Sequence, residues 1–140
     1  MDIKSMDVFN GSEYKEKGSK FFGYLVKIES SKQVTEILAE LKKEHKHAGH
    51  FCYAYRVNEL VSGAQISIFQ DKTYKEKYSN DGEPSGVGMA LMNLLVNSKI
   101  EDCVVVVVRY WGGVLLGSGN LIRAYVTAAK SALDKHLNLL

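Results

Sequence analysis

The sequence predicts an α/β (α+β) domain, a two-layer sandwich in which helices cover one face of a mixed β-sheet. Three observations carry that expectation. Apolar residues recur with strand spacing in some segments and with helical spacing in others. The elements run β-α-β-β-α-β-α, mixed without strict alternation. One pair of strands is close enough in sequence for an antiparallel hairpin, whereas helices separate the rest. With 140 residues, 46% of them apolar, and a single proline, the chain supports one hydrophobic core. Residues 1–12 read as a polar lead-in and residues 13–140 as a single domain.

The first strand begins at Ser19 and carries Phe21, Phe22, Tyr24, Val26 and Ile28. Ser30 offers a helix N-cap with Gln33 as its capping-box partner, and Val34, Ile37, Leu38 and Leu41 follow at helical spacing. Basic residues near the end of that helix suit its dipole, and it should stop near Lys46. His50 to Val57 is an aromatic-rich strand, with the alternating segment from Ala64 to Phe69 as its expected hairpin partner. Asp71 to Gly82 reads as a long polar loop. A second helix, opened by Ser85 and Gly86, is apolar nearly all round and should be deeply buried. Cys103 to Tyr110 contains five consecutive valines, the mark of a strand covered on both sides. After a glycine-rich stretch, a last helix from about Leu121 to His136 turns Leu121, Tyr125, Ala128, Ala129, Ala132 and Leu133 inward.

Eighteen basic and sixteen acidic residues give a net charge of +2, too balanced for a general nucleic-acid or membrane binder. No apolar run is long enough to span a bilayer, and the first residues lack the pattern of a secretory signal. Cys52 and Cys103 stand apart in strand contexts, as reduced thiols in a cytoplasmic protein do. No DNA partner and no cofactor is expected.

Three clusters carry candidate chemistry. In Asn80-Asp81-Gly82-Glu83-Pro84-Ser85-Gly86, two carboxylates in a glycine-containing loop suit cation binding or acid–base work. The same residues also suit a plain turn, with Ser85 capping the next helix. The second cluster runs from Arg109 through Tyr110, Trp111, Gly112, Gly113 and Gly117, with Arg123 just inside the following helix. A strand, a glycine loop and a helix start form a layout that holds anions, and also one that merely makes a tight connection. It is neither a Walker A loop nor a dinucleotide fingerprint. His45, His47 and His50 tempt a metal reading, yet no acidic or cysteine ligand accompanies them, so no metal site is expected.

The segments AGHFCYAYR (48–56), DGEPSG (81–86) and VVVVRYWGGVLLGSGNLIRAY (105–125) occur in that order, after KGSKFFGYL (17–25). Together they resemble the signature blocks of the Impact family, in its N-terminal domain, over about residues 13 to 135. Asn80 stands where the family usually has a second acid, and Trp111 where it has phenylalanine or tyrosine. The resemblance implies a fold like the second domain of small-subunit ribosomal protein five. It also implies a role in translation control, which eukaryotic members exert by competing for a ribosome-associated co-activator. The length leaves room for this domain alone, without the RWD domain of eukaryotic members or the extra C-terminal domain of bacterial ones.

The expected function is therefore a cytoplasmic module that regulates translation or its stress response by binding a ribosome-associated protein or RNA. Its binding surface would join Asp81 and Glu83 to Arg109, Gly112, Gly113, Gly117 and Arg123 in one cleft. Lys72, Lys75 and Lys77, with Tyr74, Tyr78, Tyr110 and Trp111 as stacking platforms, are the RNA-contact candidates. The competing class is a hydrolase of a phosphorylated or peptide-like substrate. There His50, Asp81 and Glu83 would be the acid–base groups, and Arg109 and Arg123 would hold the anion.

Overall fold

A computed structural model of the chain describes residues 7–59 and 74–138. Among these, a six-stranded sheet carries three helices: β1 (Val8–Asn10), β2 (Tyr14–Glu16), β3 (Ser19–Lys27), α1 (Lys32–Glu44), β4 (His50–Asn58), β5 (Tyr74–Ser79), α2 (Val87–Asn97), β6 (Cys103–Tyr110) and α3 (Ser118–Leu137). The strand order is β1-β3-β6-β4-β5, with β2 alongside β3. The α+β class stands.

Two details of the expected architecture are corrected. The sheet is antiparallel in every described pairing, where a mixed sheet was expected. The helical crossovers do join strands of like direction, β3 to β4 and β5 to β6. An antiparallel strand is interposed each time, β6 inside the first pair and β4 inside the second, so no like-directed neighbours meet. Nor do the helices share one face. Side chains alternate along each strand, and the buried ones sort into two clusters. Phe21, Leu25, Cys52, Ala54, Val105 and Val107 pack with α2 and α3. Tyr24, Val26, Tyr55, Val57, Val104 and Val106 pack with Val34, Ile37 and Leu41 of α1. This double covering is what the unbroken valine run required. Val104 to Val108 are all fully buried in the strand between β3 and β4.

Close contact between α3 and the sheet depends on small residues. A Cβ on Gly23 would lie 2.1 Å from the Ala128 carbonyl oxygen, and Ala124, Ala128, Ala129 and Ala132 line the buried side of the helix. With its backbone so near, α3 fixes the position of its own first turn relative to the end of β6.

Other boundaries moved modestly. Residues 8–10, taken as part of the lead-in, pair with β3. The N-cap of α1 is Ser31, one residue later than expected, although Gln33 Oε1 does accept from the Ser30 amide at 3.1 Å. The expected hairpin partner at 64–69 lies outside the described residues. Residues 74–79, expected in a loop, are instead the strand paired with β4. Among the described residues this strand ends the sheet, and its polar composition suits such a place, where charge discourages further pairing. Helix α2 is less buried than expected, since Met89 and Val96 are exposed. Cys52 and Cys103 are buried and free.

Candidate functional site

Alternation along three neighbouring strands delivers the site. Arg109 ends the β6 row that faces α2 and α3, and it lies opposite Phe21 on one side and His50 on the other. Ser19 continues the Phe21 row on β3. Ser19, Phe21, His50 and Arg109 therefore share one end of one sheet face.

The Arg109 guanidinium is buried between aromatic rings, 5.5 Å from the Phe21 centroid and 5.4 Å from that of Trp111. Its Nη1 donates to both carboxylate oxygens of Glu83, at 2.7 and 3.0 Å, and Nη2 donates to Ser19 Oγ at 3.3 Å. The Nε–H is buried without an acceptor among the described residues. Glu83 is equally buried. The Tyr125 hydroxyl, from the middle of α3, donates to its Oε2. Burial, foremost, raises the Tyr125 pKa, so the hydroxyl keeps its proton and acts as a fixed donor. Glu83 and Nη1 of Arg109 are thus paired inside the fold, and breaking one half of such a buried pair is what costs stability.

The acidic loop is built to present Glu83. Asp81 and Gly82 adopt left-handed conformations, and the Glu83 amide donates to the Asn80 carbonyl at 2.9 Å. Asn80 Oδ1 accepts from the Gly88 amide at 2.7 Å, which ties the loop to α2. Asp81 Oδ2 accepts from the Phe51 amide at 2.6 Å, tying it to β4. Helix α2 is capped by Gly86 at φ 108° with no side-chain bond, so Ser85 is not the cap that the turn reading gave it.

His50 stands between the two carboxylate residues. Its Nδ1 lies 2.8 Å from the Asp81 carbonyl oxygen, which can only accept, so Nδ1 carries the proton. Nε2 is then directed toward Glu83 Oε1, 3.5 Å away. Beneath it Cys52 donates to the Asn80 carbonyl at 3.1 Å, and burial pushes the thiol up to about 12, which excludes a thiolate nucleophile near neutral pH.

Above this assembly opens a cleft of about 310 Å³. His50, Glu83 and Arg109 line its sheet side, and Trp111, Leu115 and Ser118 line the other. The loop is shaped by close backbone contact: a Cβ on Gly112 would lie 2.1 Å from the Gly18 carbonyl carbon. Gly113 and Gly117 have positive φ, and Gly117 caps α3 in the cleft wall. Trp111, Val114 and Leu115 are 56%, 46% and 84% exposed, three large apolar side chains in one short loop.

The candidate residues thus divide. Glu83, His50, Arg109, Trp111 and Gly117 meet at the cleft, while Gly112 and Gly113 shape its loop. Asp81 does not line the cleft; its carboxylate serves the β4 backbone. Arg123 is outside too, exposed on the second turn of α3 and bonded to Asn120. Tyr110 points to the opposite sheet face, where its hydroxyl meets His45 Nδ1 at 2.7 Å. Lys75 and Lys77 lie across from Val57 and Tyr55, also on that opposite face, and Lys75 is paired with Glu59 at 3.5 Å. Lys72 is outside the described residues. Sequence reasoning missed Tyr125 and Ser19 as members of the site. Period-two spacing from Phe21 pointed to Ser19; Tyr125 was read as core, and only the fold shows its hydroxyl at Glu83. Among the described residues no group of three histidine, cysteine or acidic side chains could hold a metal ion, and no helix is long and apolar enough to cross a membrane.

Comparison with known proteins agrees with this architecture. The Impact N-terminal domain model matches residues 17–133. An IMPACT family member of Haemophilus influenzae is 35% identical over 118 residues, covering 84% of this chain and 52% of the relative. A crystal structure described as that of a hypothetical protein superposes with a TM-score of 0.73 at 29% identity, over 92% of this chain and 61% of the other. The structure of Yih1, described as a two-domain translational regulator, has the same fold, with a TM-score of 0.57 at 21% identity over 91% of this chain and 46% of that one. The chain spans about half the length of the curated relatives it matches. By the extent of the family match and the identity to its members, the chain belongs to the Impact N-terminal domain family.

Proposed function

We propose that the chain is a translation-control module that docks a ribosome-associated protein in the cytoplasm, using the cleft and the loop from Trp111 to Gly117. The observation that carries this reading is the pairing of exposed apolar side chains with a wall braced by the buried Arg109–Glu83 pair. Trp111, Val114 and Leu115 project from a loop whose base is fixed by Gly112 against Gly18 and by Arg109 against Glu83. Large apolar groups clustered on a surface, next to a concave site, are a mark of protein interaction. The description of the structural neighbour Yih1 as a translational regulator supports the choice of partner class.

The test is capture of ribosome-associated proteins from native lysate, with and without nuclease, by wild type and by Leu115→Ser. Capture should survive nuclease and fall in the variant. Capture that ignores Leu115 would overturn the reading, and capture abolished by nuclease would transfer it to RNA.

A second reading, hydrolysis of an anionic substrate, draws on His50. With Nδ1 against the Asp81 carbonyl, the other ring nitrogen lines the cleft 3.5 Å from Glu83 Oε1, a histidine–carboxylate pair of the kind that acid–base catalysis uses. Turnover of phosphate-ester or peptide substrates that disappears in His50→Gln would favour it.

A further inference from the structure

Resting on the docking reading for its consequence, we infer that His45 is a pH-sensitive latch on the docking loop, closed while its ring is neutral and opened by a proton. His45 is the C-cap of α1, and its ring lies in a cage formed by Phe22, Tyr24 and Tyr110. Each ring nitrogen meets a hydroxyl: Nε2 is 2.6 Å from Tyr24 Oη, and Nδ1 is 2.7 Å from Tyr110 Oη. A neutral imidazole has one N–H and one lone pair, so one tyrosine must donate and the other accept. Burial decides which. Tyr24 is 7% exposed and its hydroxyl has no other partner among the described residues, so its proton goes to Nε2. Nδ1–H then donates to Tyr110, which is only half-buried and can turn its own proton to water.

A second ring proton must sit on Nε2, where it faces the Tyr24 O–H. That hydroxyl would have to turn and accept, which leaves its proton without an acceptor beside a buried charge. The charged ring is therefore driven from the cage. Burial accordingly lowers the His45 pKa, while Glu44, beside it on α1, favours the charged ring. Burial also keeps the Tyr24 and Tyr110 hydroxyls protonated. Lys20 of β3 lies opposite Tyr110 and 4.0 Å from Glu13, and Lys42 of α1 lies over the Phe51 ring of β4.

What the latch holds is the entry to the loop. Arg109 and Tyr110 end β6 on opposite faces, Arg109 held by Glu83 and Tyr110 by His45. Trp111 follows directly. Tyr110 has no other side-chain hydrogen bond among the described residues, and His45, past the last turn of α1, can leave without breaking a strand. A loosened loop docks more weakly, because its ordering must then be supplied on binding.

Trp111 is the only tryptophan, so its emission and its quenching by acrylamide read the loop on the chain alone. Both are followed from about pH 7.5 to about pH 5, across the histidine range, with the histidine ring resonances recorded in parallel. Emission should shift to the red and quenching should rise at the midpoint of the His45 resonance, which His45→Gln identifies by its loss. His45→Gln should abolish the transition. Tyr110→Phe keeps the ring and removes only the hydroxyl. It should leave Trp111 more open to acrylamide at every pH, while His45 still titrates. His50→Gln should keep the transition, which separates the latch from the histidine in the cleft. Far-UV circular dichroism should hold steady throughout. A Trp111 signal that ignores His45, persists as a transition in Tyr110→Phe or vanishes in His50→Gln would overturn the inference. So would loss of the helix signal at the same midpoint, or a His45 ring that does not titrate before the chain unfolds. The docking reading stands or falls separately, on whether Leu115→Ser loses the captured protein.

Discussion

Glu83 and Arg109 are each buried to the same degree and hold each other in the cleft wall. Removing one partner strands the other's charge. Arg109→Met should therefore destabilise the fold by about 3–5 kcal/mol. Adding Glu83→Gln should recover a large part of that loss, because the double variant leaves no buried ion unpaired. Chemical denaturation of the wild type, both single variants and the double variant measures the coupling, and simply additive losses would contradict it. The sequence brought Glu83 and Arg109 forward as candidates because acids and arginines beside glycines are conspicuous. It could not separate Glu83 from Asp81. Both are acids in one turn, and only the left-handed backbone at Asp81 and Gly82 sends one carboxylate to the Phe51 amide and the other to Arg109. Strand alternation alone sends Tyr110 and Arg109, adjacent in sequence, to opposite faces, whereas which face carries the site needed the strand register.

At the scale of elements, the contact between α3 and β3 sets the geometry of the site. Gly23→Ala would place a methyl group against the Ala128 backbone, which cannot turn aside as a side chain could. The substitution should cost about 1–3 kcal/mol by overpacking, and it should also alter Trp111 emission, because displacing α3 moves Ser118 and Leu121 in the cleft wall. Thermal unfolding and fluorescence check the two halves of that expectation, and a neutral effect on both would refute the close-contact account. Most elements were legible here. The valine run from Val104 is short and β-branched, which marks a strand, and the inward stripe of α3 recurs at helical spacing. The strand at 74–79 was not legible, because it ends the sheet among the described residues, where Lys75, Glu76 and Lys77 stay exposed and the apolar alternation that marks a strand is missing. The placement of α1 on the second face was also hidden. An amphipathic stripe says that a helix is covered, not which side of the sheet covers it.

Across the whole molecule, two buried histidines set the acid limit of stability. His45 lies between the Tyr24 and Tyr110 hydroxyls, and His136 packs edge-on against Phe9. Burial, foremost, lowers both below the ordinary value of 6.5. The fold thus favours the neutral rings, and the unfolded chain takes up protons first as pH falls. The stabilisation is fully present above the unfolded value and is lost as pH falls below it. The unfolding temperature should drop between about pH 7 and about pH 5, and His45→Gln should flatten that slope even though it lowers stability at neutral pH. An unchanged slope would exclude His45 as a contributor.

The central claim is that the loop carrying Trp111 is the docking surface, and a single fluorine label tests it directly. Incorporating 5-fluorotryptophan places one reporter at that loop, since the chain has one tryptophan. Adding purified ribosome-associated proteins should shift or broaden its resonance in the wild type and leave it unchanged in Leu115→Ser. A resonance that stays sharp and unmoved while the wild-type chain demonstrably binds those proteins would contradict the account.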